Sequence, residues 1–497
     1  MVHMKNIVKN AILLSLAAIL LIAAPTKALA ANKVNVLNDT EWNSFIEEKI
    51  EQDKTPGLAV AVVNGSDIDY KNWGYANIEE QTPVTENTVF GIGSCSKAFT
   101  ALAIFLLQEE GKLSIEDSVA EYLPWWNVTW EGQPQDTKIW QLLEHCSGIP
   151  NSTMMHYAVN DSTPSNEELA HIAENIELAY EPGTIFEYCN LGYNILAYLT
   201  ETVSGVSFEE YVTNEILQPI GMTNSGYHIP TTQGYRWFFR KLLPYDEPEF
   251  VMSSGDGGLR STPKDMTLWI EAQLGHSDLP EKLERAIAAS HETPEAYEVK
   301  LENGVVQYNG WLCHDGYRFH TGTNTNFSSF IMFDKERDIG IFSVSNAWIY
   351  TADYAGNSLY QVIKGEQINK QQYSLLDPIS TIDNVSTYIT VIGLAVTLLI
   401  LLLMFTQKKR LAKKQTDLAK EKKKLCIRCC VLMPLLLLTA LLPKIVTSIA
   451  GYGFASYKMI GVWLPYSFLI AFAVLSAMIL MMLISSITRY FIVNTNP

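Results

Sequence analysis

The chain has no cysteine and histidine cluster at metal-ligand spacing, so zinc chemistry has no ligand set here. It has no internal repeat and no long low-complexity linker, and is not a repeat array. Cysteine is scarce, with 7 in 497 residues. None lies near Ala28-Leu29-Ala30, which argues against a lipid-modified terminus. Basic residues are sparse over most of the length. Between the first 30 residues and Ser386 there are 20 Lys and Arg against 51 Asp and Glu, a net charge of −31. A segment so acidic is a poor partner for nucleic acid or anionic lipid. It would draw in a cationic ligand, although acidity is also ordinary on a soluble surface.

Long apolar runs are present at both ends. Lys5 and Lys9 precede the apolar stretch Ala11 to Ala24, and Ala28-Leu29-Ala30 offers a small-residue cleavage site. That pattern predicts a secretory signal peptide over residues 1–30. Near the C-terminus, Tyr388 to Phe405, Cys430 to Ala450 (interrupted by Pro443 and Lys444) and Leu464 to Ile487 predict three transmembrane helices. A spanning helix needs about 20 apolar residues. Lys444 must sit at the outer end of the second or snorkel.

The loop 406–428 carries Lys408, Lys409, Arg410, Lys413, Lys414, Lys420, Lys422, Lys423, Lys424 and Arg428 against Asp417 and Glu421. A basic loop beside membrane helices belongs in the cytoplasm. Residues 31–383 then lie outside, as a signal peptide also requires, and 384–497 form a membrane domain. In an exterior compartment disulfides are permitted. Cys95, Cys146, Cys189 and Cys313 allow three pairings, but their places inside or near the site motifs favour small buried thiols packed under the site.

About 350 exterior residues suffice for one large domain or two joined lobes. Leu58 to Val63 and Ile68 to Tyr75 read as strands around a turn at Asn64-Gly65. Phe327 to Phe333 and Ile339 to Ser345 read as strands around a charged turn, with a helix near Tyr350 to Ile363. Helices dominate from Ser94 to about Leu217. This order predicts an α+β domain: one antiparallel sheet built from both termini, flanked by helices, with a helical lobe and a cleft between the two.

Ser94-Cys95-Ser96-Lys97 places a hydroxyl and an amine one helical turn apart. An adjacent amine activates a serine by taking or orienting its proton. The spacing alone is weak, since about one or two chance matches are expected in such a chain. A second match, Ser261-Thr262-Pro263-Lys264, reads instead as a helix N-cap, an N1 proline and, at Asp265, a capping carboxylate. After Ser94, Ala98 to Leu107 is apolar almost all round and predicts a buried helix that stops near Gly111. Ser94 and Lys97 would stand at its positive end in a low-dielectric setting. Such a setting favours proton transfer from the amine and a developing oxyanion.

Two further segments can complete a site. Tyr188-Cys189-Asn190 follows a Pro182-Gly183 turn, which would put Tyr188 on a loop facing the cleft. A phenol, ordinarily titrating near about pH 10, serves as a base only where a cation such as Lys97 stabilises its phenolate. In His320-Thr321-Gly322-Thr323, Gly322 would let backbone approach a ligand closely. The Thr323 and Ser94 N–H groups could then form an oxyanion hole. Tyr188 and His320 each also read as structural residues when taken alone.

These three segments, in this order, resemble the serine β-lactamase and penicillin-binding protein superfamily, in its class C-like branch, where His often replaces Lys in the third motif. Leu142-Leu143-Glu144-His145-Cys146-Ser147-Gly148-Ile149-Pro150 and Leu113 to Pro124 resemble two more of its segments, and the likeness runs over about residues 40–365. The resemblance implies the α/β β-lactamase-like fold, an acyl-enzyme on Ser94, proton work shared by Lys97 and Tyr188, and no cofactor or metal.

A catalytic domain followed by three membrane helices resembles the prodrug-activating peptidases of nonribosomal-peptide pathways, the colibactin- and zwittermicin-maturing type. The segment Asn324-Thr325-Asn326-Phe327-Ser328-Ser329 resembles theirs as well. That likeness implies a peptide-like substrate with an N-acyl-D-asparagine cap, a possible exporter as partner, and Asn324, Asn190 and Ser253 as substrate-binding residues. Where the colibactin enzyme has Ser and His, this chain has Asn190 and Ser253. A penicillin-binding D,D-peptidase, β-lactamase or esterase, and a non-catalytic membrane receptor keeping the fold, are the alternatives.

Overall fold

The computed structural model describes residues 36–156, 163–248, 253–292, 305–371, 373, 377–411, 417–449 and 455–495. The expected signal peptide, residues 1–30, lies outside them.

The elements that frame the site begin with α1 (Thr40–Asp53), β1 (Gly57–Asn64), β2 (Asp67–Asn77) and β3 (Thr82–Pro83). Then come α2 (Lys97–Glu109), α3 (Asn190–Ser204), the hairpin β4 (Tyr235–Phe238) and β5 (Lys241–Pro244), α4 (Pro263–Leu274) and α5 (Glu281–Ser290). The run β6 (Val306–Tyr308), β7 (Trp311–His314), β8 (Tyr317–Thr323), β9 (Ser328–Asp334) and β10 (Ile339–Ser345) leads to α6 (Thr351–Ile363). The chain ends with α7 (Pro378–Leu411), α8 (Leu418–Ile449), α9 (Tyr457–Trp463) and α10 (Tyr466–Thr495).

One eight-stranded antiparallel sheet runs β6-β7-β8-β9-β10-β1-β2-β3. Its two ends in sequence meet where β1 pairs with β10, Leu58 opposite Ser345. Side chains alternate across a strand. Accordingly Leu58, Val60 and Val62 pack with α1 and α6 on one face, and Ala59, Ala61 and Val63 face the helical lobe. Both faces are covered, which is why β1 is a continuous apolar run rather than an alternating one. Asn64 pairs with Asp67, so the hairpin turn is Gly65-Ser66, one residue later than expected, with Gly65 at φ +59°. The charged turn after β9 is held by buried Asp334, whose carboxylate accepts Glu336 N–H, Arg337 N–H and Tyr360 O–H.

Helix α2 is buried from Lys97 to Leu107, and Gly111 (φ +66°) follows its last turn. Phe99 of α2 stacks on Trp269 of α4 at 3.8 Å between ring centroids. Gly340 in β10 lets α4 lie close, because a Cβ there would meet Ile270 at 2.2 Å. At the second S-x-x-K match, Thr262 caps α4 by accepting Asp265 N–H, with Pro263 in the first turn. The Asp265 carboxylate does not close a capping box. It accepts Asn224 N–H and Ser225 O–H instead, fixing the preceding loop.

Three C-terminal helices, α7, α8 and α10, have 34, 32 and 30 residues. At about 1.5 Å per residue each exceeds the roughly 30 Å of a bilayer's hydrocarbon. The first begins at Pro378, ahead of the boundary drawn at 383/384. Large apolar side chains of this bundle face outward, Val391, Ile392, Leu398 and Leu437 among them. Lys444 sits toward the C-terminal end of α8, over the Tyr457 ring at 5.1 Å. At the opposite end, Glu421 of α8 binds Arg489 of α10 at 2.7 Å.

The bundle docks on the β4–β5 hairpin. Buried Asp383 of α7 accepts Phe239 N–H (3.0 Å), Arg240 N–H (2.5 Å) and Ser467 O–H (2.5 Å). Phe239 and Arg240 turn the hairpin at φ 48° and 65°. Arg236 donates to the Leu464 carbonyl and lies over the rings of Tyr245 and Tyr466.

Trp269→Ala should cost about 3–5 kcal/mol, the range for a buried Trp truncation. Thermal unfolding of the purified protein measures it, and an unchanged melting temperature would show that the α2–α4 stack carries little.

Candidate active site

Ser94 is not on the α-helix itself. It lies on a 3-10 turn, Gly93–Ser96, that runs straight into α2. Between Gly91 and Thr100 every residue except Ser94 is buried. Two glycines bring this turn against β8. A Cβ on Gly93 (φ +51°) would meet Thr323 N at 2.5 Å, and one on Gly322 would meet the Ile92 carbonyl oxygen at 2.0 Å. Ser329 fastens the contact by donating to Ile92 O at 2.7 Å. The backbones of Ser94 and Thr323 therefore stand side by side, as an oxyanion hole needs.

Lys97 Nζ donates to Ser94 Oγ at 3.0 Å and to the Asp256 carbonyl at 2.6 Å. It lies 5.0 Å from the Tyr188 ring centroid and 5.6 Å from that of Tyr193. The Tyr188 hydroxyl donates to Ser94 Oγ at 2.8 Å. Ser94 thus meets both groups able to take its proton, within the reach general-base catalysis requires.

Tyr188 is aimed by the loop Leu142–Pro150. His145 O accepts Glu187 N–H (2.8 Å) and Cys146 O accepts Gly183 N–H (2.7 Å). His145 Nδ1 accepts Cys189 N–H at 3.2 Å, and its ring lies 4.5 Å from that of Tyr188. An accepting Nδ1 leaves the ring proton on Nε2. Burial, then Lys97, holds this imidazole well below its ordinary value, so it is neutral. The sequence reading placed His145 only within a motif and gave it no role. Its φ of 53° and its ring contacts make it a positioning residue for Tyr188.

His320 is buried, with Nδ1 2.5 Å from Thr321 O. Burial, and next Lys97, lowers its imidazole to about 4, so it is neutral at pH 7. Cys95, Cys146, Cys189 and Cys313 are all free. The Cys95 thiol is pushed up to about 12 by burial and is inert.

The expected substrate-binding residues part company. Asn190 opens α3 and borders the cavity, and its Oδ1 is buried with no hydrogen-bond partner among the described residues. Asn324 is buried beneath the site, where a Cβ on Gly91 would meet its Nδ2 at 2.7 Å. Ser253 is buried and donates to the Asp256 carboxylate. Neither Asn324 nor Ser253 lines the cavity. Ser253 thus helps to hold the loop whose Asp256 carbonyl meets Lys97.

Ser94, Tyr188, Asn190, His320 and Thr323 open into a cavity of about 710 Å³. Asn151, Phe186, Gln307, Leu312 and Trp348 extend its catalytic side. Its far side belongs to the C-terminal bundle, including Ile382, Val446, Met459, Ile460 and Trp463. No Lys, Arg, Asp or Glu is among the described residues that line it. A substrate carboxylate buried there would lack a charged partner, a costly arrangement.

Below the site, Glu144 accepts Asn309 N–H at 2.9 Å, and its other oxygen has no partner among the described residues. Burial pushes its carboxyl up from 4.5 to about 8, so it is protonated at pH 7.

A hydroxyl between an amine and a phenol, beside paired backbone N–H groups, is an arrangement suited to a serine hydrolase. The Beta-lactamase family description matches residues 42–363, and the chain belongs to that family. It is 28% identical over 350 residues to Protein flp of Staphylococcus aureus (strain NCTC 8325 / PS 47), covering 68% of each chain. It is 28% identical over 271 residues to a Beta-lactamase of Escherichia coli (strain K12), covering 54% of this chain and 68% of that one. Among solved structures, the octameric penicillin-binding protein homologue from Pyrococcus abyssi superposes with TM-score 0.60 at 27% identity, over 70% of this chain and 80% of the other. A class C beta-lactamase superposes with TM-score 0.57 at 22% identity, over 66% and 96%, a likeness of fold.

Gly322→Ala should separate β8 from the Ser94 turn and lower kcat/KM on the order of 100-fold, as losing an oxyanion donor does. Steady-state kinetics with an activated ester checks this, and wild-type rates would refute the close contact. A second prediction concerns pH. Glu144 is protonated in the native state and ionised in the unfolded chain between pH 4.5 and about 8, so its contribution to stability falls as pH rises through that window. Glu144→Gln should gain on wild type from about pH 4.5 upward and level off above about pH 8. Melting curves at pH 5, 7 and 8.5 read the difference, and a constant gap would contradict it.

Proposed function

We propose that this protein is a membrane-anchored serine amidase that acts outside the cytoplasm and removes an N-acyl-D-amino-acid cap from an exported peptide-like molecule. Ser94 attacks the cap's scissile carbonyl as Lys97 or Tyr188 takes its proton. The Ser94 and Thr323 N–H groups hold the oxyanion, and the same proton acceptors then serve the leaving amine. Water releases the acylated amino acid and restores Ser94.

The observation that carries this reading is the shared cavity. Its catalytic side offers a poised hydroxyl and its far side is apolar and belongs to the C-terminal bundle. Such a site suits a neutral, acylated amide. The topology rests on the basic loop 406–428, which joins the bundle ends far from the cavity. The D-asparagine preference rests on Asn190 alone, whose buried, unpartnered Oδ1 could accept from a carboxamide.

Family membership favours a second reading, a D,D-peptidase or β-lactamase. Those substrates carry a free carboxylate, and the neutral His320 and uncharged lining speak against one here. The close approach of Lys97 and Tyr188 to Ser94 speaks against a receptor without activity.

Mass spectrometry of the full-length protein with N-octanoyl-D-Asn and N-octanoyl-L-Asn amides of one reporter peptide, and with a peptide ending in D-Ala-D-Ala with its carboxylate free, should detect N-octanoyl-D-asparagine as the main product. Ser94→Ala should lose on the order of 10⁴-fold or more of the rate while still inserting into membranes. Preferential D-alanine release would move the protein to the second reading, and full activity in Ser94→Ala would end the acyl-enzyme mechanism.

A further inference from the structure

The cavity is one space built by two parts of the chain. Ser94 and its partners form one side, and residues from α7, α8 and α9 close the other. Pro378, Ile379 and Ile382 come from the start of α7, and Val446 and Thr447 from the end of α8. Ala455 to Leu464 supply Met459, Ile460 and Trp463, all but Trp463 of these three buried. Trp463 also meets Trp348 of the catalytic side edge to face at 5.9 Å.

The position of α9 is not left to apolar contact. Arg236 holds the carbonyl of Leu464, the residue just after α9, and lies 4.7 Å and 5.0 Å from the rings of Tyr245 and Tyr466. Asp383 ties the tip of the same hairpin to α7 and, through Ser467, to α10. A carboxylate that accepts three donors while fully buried is a costly device unless it fixes geometry. What it fixes is the far side of the cavity relative to Ser94.

We infer that the acyl chain of the substrate is bound and measured by the C-terminal bundle: Ile382, Val446, Met459, Ile460 and Trp463 form its subsite, and Asp383 and Arg236 are positioning residues that hold this subsite opposite Ser94. The inference rests on the acyl-enzyme reading above. It makes the bundle a specificity element as well as an anchor. A chain leaving the Ser94 carbonyl runs along described residues none of which is charged, and its length is limited by Ile460 and Trp463.

The test uses the full-length protein in nanodiscs and p-nitrophenyl esters of acetic, hexanoic and decanoic acid, which need no D-residue. Wild type should favour decanoyl over acetyl at least tenfold in kcat/KM. Ile460→Trp, which narrows the subsite, should move the optimum to hexanoyl. Met459→Asp should lower the decanoyl-to-acetyl ratio at least tenfold, mainly through KM. Asp383→Asn should lower the same ratio, a readout that simple loss of folded protein would not move.

A profile that stays at wild type in Ile460→Trp and Met459→Asp overturns the inference, because bilayer partitioning would then explain the preference. Labelling of wild-type Ser94 by a small fluorophosphonate separates the two levels of argument. Labelling with a flat chain-length profile removes the subsite and leaves the serine-enzyme reading. Absence of both labelling and ester turnover overturns both.

Discussion

The site depends on an amino group placed where water cannot reach it. Lys97 is fully buried at the start of a core helix. Leaving such a group without partners would cost several kcal/mol. Its partners are few: Ser94 Oγ one turn back and, from afar, the Asp256 carbonyl and the faces of two tyrosines. Each must be delivered by a different segment. The loop before α4 brings Asp256, the loop before α3 brings Tyr188, and α3 itself brings Tyr193. Satisfying one amine therefore organises most of the helical lobe around Ser94.

Much of this was legible from local patterns. The strand pairs at the two ends, the helix after Ser94 and the three apolar helices are each encoded within short windows, by alternation, continuous apolarity or length. The cap at Thr262 was legible for the same reason, since a cap is a contact between residues three apart. The hairpin turn slipped by one residue because Asn64 can serve either as a turn residue or as the last strand residue. What could not be read were relations across the fold. Asn324 and Ser253 are polar and near the motifs, yet both are buried and neither is among the residues lining the cavity. His145 lies in a motif, but its role depends on facing Tyr188. Asp383 looked like the last residue of a domain, and it is a buried link between two.

The electrostatic character of the domain and of its cavity are opposite. The segment between residue 30 and Ser386 carries a net charge of −31, whereas the described residues that line the cavity carry no charged side chain. So acidic a surface is repelled by an anionic bilayer surface. The uncharged interior strengthens the dipoles around Ser94, because hydrogen bonds gain strength where the dielectric is low. Neutral His320 and His145 extend that character to the two rings nearest Tyr188. Reactivity at Ser94 is in this way insulated from the surface field.

The pairing of β1 with β10 has a consequence for biogenesis. Leu58 cannot find Ser345 until almost the whole catalytic domain has been made. A contact of that sequence separation forms slowly, because loop closure must come before its reward. β10 ends at Ser345 and α7 begins at Pro378, so the sheet can close only once the chain has reached the threshold of its three long apolar helices.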